Sequence, residues 1–147
     1  MIITTLVIHH SSSGKNTTIE QINEWHKARG FPMSMLSFNV GYHYVILWDG
    51  EVIQTRRDNE TGCHTVPNDG KLGICVVGNF QNEKMSVAQL DSLISLVNRL
   101  KLLYNIQDVK GHREFNRTEC PGVELYKWVL SERISWLQKL INILLNK

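Results

Sequence analysis

The sequence predicts an α/β domain whose mixed central sheet carries helices on both faces. Three observations point to it. The runs Ile2 to Ile8 and Leu72 to Val77 are continuously apolar, as strands covered on both sides are. Strand-like and helix-like segments alternate along the chain. A turn dipeptide, Asp49-Gly50, separates two short strand-like segments, which makes one strand pair antiparallel and the sheet mixed.

The elements follow in order. Ile2 to Ile8 is β-branched and reads as a buried strand, broken by Ser11-Ser12-Ser13-Gly14. Thr18-Ile19-Glu20-Gln21 is a capping box that opens a helix with Ile22, Trp25 and His26 on one face. Gly30 ends this helix and Pro32 prevents its resumption. Tyr42 to Trp48 and Val52 to Thr55 form the hairpin, and the turn formers from Asn59 to Gly70 make a loop. Leu72 to Val77 is the next strand. A second capping box, Ser86-Val87-Ala88-Gln89, starts a helix to Tyr104, with Leu90, Leu93, Ile94, Val97, Leu100 and Leu103 at helical spacing. Ile106 to Lys110 is a short strand that feeds Gly111-His112. Pro121-Gly122 opens a helical stretch, broken near Ser131, that runs to the end.

A chain of 147 residues buries a full core without staples, and one catalytic-size domain over 1–130 followed by a helical tail over 131–147 is the expected organisation. Hydrophobic content of 42% and charged content of 20% are those of a globular protein. The net charge of +2 with no Lys/Arg stripe argues against nucleic acid as a partner. Three cysteines are too few for a disulfide framework. Cys75, in an apolar run, is expected to be a buried thiol, and the spacing does not demand a Cys63–Cys75 pair. The start of the chain lacks the features of a secretory signal, so the expectation is a protein that is cytoplasmic as synthesised.

Three residues carry chemistry together. His9 ends the first strand, His112 follows the last, and Cys120 lies eight positions further on, before Pro121. Two imidazoles and one thiolate are a zinc donor set that leaves a fourth position for water, as in catalytic rather than structural zinc. The reaction class this implies is hydrolysis of an amide or ester.

The surroundings of these residues resemble one family. Val7-Ile8-His9-His10-Ser11-Ser12, Gly41-Tyr42-His43-Tyr44-Val45-Ile46, Gly62-Cys63-His64-Thr65, Leu72-Gly73-Ile74-Cys75-Val76-Val77-Gly78-Asn79-Phe80, and Gly111-His112-Arg113 with Thr118-Glu119-Cys120-Pro121 run in order from Leu6 to about Trp128. Together they are similar to the zinc-dependent N-acetylmuramoyl-L-alanine amidases of the type-2 amidase and peptidoglycan-recognition-protein superfamily, above all the short phage lysozyme-type amidases. The resemblance implies Zn2+ held by His9, His112 and Cys120. It implies a substrate in bacterial peptidoglycan or muropeptides, cut between N-acetylmuramic acid and L-alanine, and a phage endolysin acting on the wall after release, as through a holin. Tyr42 matches the family's catalytic tyrosine, a donor to the attacking water or the oxyanion. Thr118 stands where some phage members have lysine and peptidoglycan-recognition amidases have threonine, so it offers a neutral donor. His64 matches a cleft-rim histidine that either assists proton transfer or binds substrate, or is a structural residue of the rim. His10 and His43, as strand neighbours of functional positions, are expected on the opposite face in structural roles. Arg57 and Asn79 are further substrate-contact candidates, with Arg57-Asp58 as a solvated pair the simpler reading.

Two other functions fit the same residues. One is a non-catalytic muropeptide-binding module, against which the full ligand set argues; the other is a cytosolic amidase that recycles soluble muropeptides. The tail places Leu130, Ile134, Leu137, Ile141 and Leu144 at 4-3-4-3 spacing, widened by Trp136, Leu140, Ile143 and Leu145, with Arg133, Lys139 and Lys147 adding charge. Packing on the domain, self-association and membrane contact all suit such a helix.

Overall fold

A computed structural model describes residues 2–145, without the side chains of Trp136 and Leu140, so the tail positions named above at Trp136, Leu140 and Lys147 lie outside the described residues. The elements are β1 (Thr5–His10), α1 (Ile19–Ala28), β2 (Tyr44–Ile46), β3 (Val52–Gln54), β4 (Lys71–Val76), α2 (Val87–Tyr104), β5 (Asp108–Gly111), a 3₁₀ turn at His112–Glu114, and α3 (Val123–Leu145). The five strands lie in the order β3-β2-β4-β1-β5. All pairs are parallel except the β2–β3 hairpin, so the sheet is mixed as predicted.

Side chains alternate across the sheet, and each face has its own core. Leu6, Ile8, Tyr44, Ile46, Leu72, Ile74 and Val76 pack under α2 and α3, against Leu93, Val97, Leu100, Leu125 and Val129. Val45, Cys75 and Val77 pack on the other face against Ile19 and Ile22 of α1. Each fully buried aliphatic side chain contributes about 1.5–3 kcal/mol. The N-terminal end of β1 starts at Thr5, later than the apolar run suggests, and Ile2 is 84% exposed. Both capping boxes form, at Thr18 and at Ser86. Gly30, at φ +77°, closes α1 in the left-handed region that glycine favours.

Four expectations need correction. In α1, Ile22 and His26 are buried but Trp25 is 45% exposed. In α2 the buried stripe is Gln89, Leu93, Leu96, Val97 and Leu100, one helical face that takes in Leu96 and leaves Ile94 and Leu103 at 40% and 64% exposure. Gln89 is tolerated inside because its Nε2 donates to the Val77 carbonyl at 2.7 Å. The break near Ser131 does not occur: α3 runs through it, and the Ser131 hydroxyl is satisfied within the helix by the Trp128 carbonyl at 2.7 Å. The Asp58 carboxylate is not paired with Arg57; it accepts the hydroxyls of Tyr44 and Tyr104, each at 2.6 Å, and so pins the end of α2 to β2. Among the described side chains of the second half of α3, Ile134, Leu137, Ile141 and Leu144 are 47–69% exposed. Among the described residues no helix is long and apolar enough to cross a membrane. All three cysteines are free, and Cys75 is fully buried as expected.

Candidate metal centre and cleft

Ligand positions in this fold come from the ends of two adjacent parallel strands. β1 carries His9 at its C-terminal end, beside Cys75 of β4. β5, on the other side of β1, delivers His112 into the 3₁₀ turn. The chain then folds back. The Arg113 amide donates to the Cys120 carbonyl at 2.9 Å, and the Cys120 amide donates to the Thr118 hydroxyl oxygen at 3.2 Å. This closed loop returns Cys120 to the strand ends, with its Sγ 3.7 Å from Nδ1 of His9. The His9 and His112 rings lie 4.6 Å apart between centroids. The ligand atoms of His9, His112 and Cys120 all fall within 4.8 Å of one another, the spacing of a group that can hold one metal ion.

The electrostatics suit such a set. Burial holds His9 well below the usual imidazole range, helped by the neighbouring His64 and His112. Burial also lowers His112, against the opposing effect of its bond to Asn116. Both rings are therefore neutral, with a lone pair to give. Burial pushes the Cys120 thiol up to about 12, partly offset by the His10 backbone and Arg113. A buried sulfur of this kind ionises when a cation sits beside it, and a divalent metal does this outright.

The cleft beside the cluster has two lobes that share Arg29, Tyr42 and His112. One lobe, about 480 Å³, is bounded by His9, Phe31, His64 and Asn116. The other, about 420 Å³, is bounded by Thr118, Cys120, Asn79 and Glu119. Tyr42 stands between them, with its ring 4.9 Å from that of His9. Burial, and then the sulfurs of Cys75 and Cys120, keep its phenol protonated far above neutral pH, so it is a donor. The Thr118 hydroxyl accepts from the Cys120 amide and keeps its own proton to donate.

His64 borders the first lobe but is only 6% exposed. Its Nδ1 lies 3.1 Å from Nε2 of His9, and its ring is wedged against Gly62 and Gly73. His10 is on the opposite face as predicted, where its Nδ1 accepts the Phe80 amide at 3.2 Å. His43 is buried in a structural role: Nδ1 accepts the Gly73 amide at 3.1 Å and Nε2 donates to the Glu60 carbonyl at 2.9 Å. Its ring nevertheless meets His64 edge-on at 5.6 Å, behind the site rather than across the sheet from it. Arg57 is exposed and borders neither lobe, whereas Asn79 borders the second.

Two residues were missed by reading the sequence. Among the described residues, Arg29 is the only Lys, Arg, Asp or Glu that lines the first lobe, and it lines the second as well. As the residue closing α1 it gave no sign of where it pointed. Asn116 holds Nε2 of His112 at 3.0 Å, and its place four residues after a candidate ligand was the available signal.

The family model described as N-acetylmuramoyl-L-alanine amidase matches residues 1–123. The endolysin of Escherichia phage T7 is 30% identical over 131 residues, which is 84% of this chain and 83% of that protein. Peptidoglycan-recognition protein SD of Drosophila melanogaster is 33% identical, over 82% of this chain and 68% of that protein. Among solved structures, the endolysin N-acetylmuramoyl-L-alanine amidase LysCS from Clostridium intestinale superimposes with a TM-score of 0.80 at 34% identity, covering 90% of this chain and 84% of that one.

Proposed function

The chain belongs to the N-acetylmuramoyl-L-alanine amidase family, and we propose that it is a zinc-dependent endolysin that cuts the amide between the lactyl group of N-acetylmuramic acid and the L-alanine of the stem peptide. The observation that carries this reading is the convergence of His9, His112 and Cys120, which line the two lobes of one cleft. A pure binding module needs no such donor set, and the substrate is peptidoglycan in either case.

The residues fit zinc. Two neutral nitrogens and one sulfur are the donors this ion prefers. When bound, zinc supplies a Lewis acid that activates water and polarises the scissile carbonyl. His9, His112 and Cys120 would hold it.

The remaining steps belong to the chain. The cleft takes the muramyl lactyl group and the first peptide residues on its two sides, with the scissile carbonyl between Tyr42 and Thr118. Water attacks the carbonyl carbon and gives up one proton to solvent, which leaves a tetrahedral oxyanion. The phenol of Tyr42 and the hydroxyl of Thr118 donate to that oxygen, and each such donor is worth about 3 kcal/mol in a dry site. The C–N bond then breaks, and the amine of L-alanine leaves with a proton passed from Tyr42 or from solvent. His64 is less suited to that transfer, because its Nδ1 is engaged by His9.

Action on the wall after release from the cell, as through a holin, belongs to this proposal and rests on the likeness to phage endolysins. So does self-association: the exposed seam of α3 has isoleucine at one heptad position (Ile134, Ile141) and leucine at the other (Leu130, Leu137, Leu144), the pattern of a two-stranded parallel coil. The reaction is tested by digesting purified sacculi. New N-terminal L-alanine without new reducing sugar ends is expected; new reducing ends alone would assign a different bond and overturn the reading.

A further inference from the structure

Both histidines of the cluster are held from behind through the same nitrogen. Nε2 of His112 lies 3.0 Å from Oδ1 of Asn116. That oxygen also takes the backbone amide of Val66 at 3.1 Å. A backbone N–H can only donate, so the Asn116 atom that faces it is the oxygen. An oxygen cannot donate to His112, so Nε2 of His112 carries the proton and Nδ1 the lone pair.

The partner of His9 is an imidazole that can donate or accept, so here the side of the ring that faces the fellow ligand sets the direction. Its Nδ1 faces the Cys120 sulfur at 3.7 Å, and its Nε2 faces Nδ1 of His64 at 3.1 Å. The His64 ring has no freedom to turn away. A methyl group on Gly73 would meet its Cγ at 2.7 Å, and one on Gly62 its Cδ2 at 2.5 Å, so two backbones hold it edge to edge. His64 Nε2 is buried and, among the described residues, meets no hydrogen-bond partner. The imidazole edge of His64 that finds a partner is thus the one turned to His9. The two supports share one segment, since His64 lies in the loop before β4 and Asn116 holds the amide of Val66 in that same loop.

We infer that His64 and Asn116 are positioning residues that lock His9 and His112 as Nε2–H tautomers, so that both rings turn Nδ1 toward the metal. The inference rests on the zinc reading and adds to it a role for the loop before β4, which sets the donor atoms from behind instead of contributing an acid or base to the cleft. Partners of this kind fix ring orientation, and their removal costs about 10–100-fold in metal affinity.

The test has two arms. In metal-free wild-type protein, long-range ¹H–¹⁵N spectra of the imidazoles report the tautomer directly; Nε2–H is expected at His9 and His112, and Nδ1–H at either would overturn the inference whether or not zinc binds. In the second arm, zinc dissociation constants are measured by chelator competition. His64→Leu and Asn116→Ala should weaken zinc about 10–100-fold. His64→Asn, which keeps an acceptor where Nδ1 stood, and Asn116→Asp should recover most of the loss. Wild-type affinity in folded His64→Leu and Asn116→Ala would refute positioning. A wild-type protein that binds no zinc would instead refute the metal reading, and the spectra would still decide the tautomers.

Discussion

Replacing Gly73 with alanine puts the support behind His9 under a defined load. Gly73 lies in β4, opposite Val7 of β1, in the middle of the sheet. The added methyl would stand 2.7 Å from Cγ and Cδ2 of His64 and 2.9 Å from its Nδ1, where ordinary contact begins at 3.4 Å. The ring must therefore retreat by about 0.7 Å, and β4, held by parallel partners on both sides, cannot retreat in its place. A shift of that size is enough to take the 3.1 Å contact with His9 past hydrogen-bonding distance. Overpacking costs about 1–3 kcal/mol. The broken bond leaves a buried ring nitrogen without a partner, for about 1–3 kcal/mol more. Urea unfolding of the metal-free protein should show a midpoint lower by about 1–3 M, at a slope of about 2 kcal/mol/M. Zinc affinity should fall with it, by about 10-fold or more. A Gly73→Ala protein with the wild-type midpoint and wild-type zinc affinity would refute the close packing on which the argument depends.

Three other outcomes are expected. His26 is 6% exposed and accepts the Gly41 amide at 3.0 Å; burial first, then Arg29 and Arg56, hold it at about 4. Its folded value lies below the unfolded 6.5, so the unfolded chain binds more protons in between, and stability present above pH 6.5 is lost as pH falls toward 4, by up to about 3 kcal/mol. His26→Gln should flatten that part of the stability–pH curve relative to wild type, and an identical slope would contradict the assignment. Arg29→Ala should raise KM on soluble muropeptides several-fold with kcat and zinc content near wild type, because Arg29 lines both lobes and is not one of the three ligands; a loss confined to kcat would remove Arg29 from substrate binding. Truncation after Ser135 should leave hydrolysis of soluble muropeptides intact, since the seam residues beyond it are exposed, and should abolish self-association in sedimentation experiments; a full-length chain that sediments as a monomer at tens of micromolar would remove the coil from the account.

Much of this was legible in the sequence because the signals are local. A capping box is written in four residues, and both boxes form. The Asp49-Gly50 turn closes on itself, with the Gly50 amide on the Leu47 carbonyl at 3.0 Å, and needs no distant partner. His9 and His112 were legible as candidate ligands because each lies at the end of a predicted strand, and parallel neighbours bring their ends together. What was not legible depends on contacts between segments far apart in the chain. His64 is 55 residues from His9, in a loop whose path no periodicity describes. Its depth behind the site follows from two glycines that lack side chains to keep it out. The orientation of α2 was misjudged at Ile94 and Leu103 because apolar residues surround that helix, and only the sheet decides which stripe is covered. Ser131 was read as a break because serine competes for backbone in isolation, yet here its hydroxyl bonds within the helix.

Metal analysis of the purified protein tests the central claim most directly. One zinc per chain is expected in the wild type and close to none in Cys120→Ser or His112→Ala, with release of L-alanine termini from sacculi lost on chelation and regained when zinc is returned. A folded, chelator-treated protein that carries no metal and still cuts the wall at the wild-type rate would contradict it.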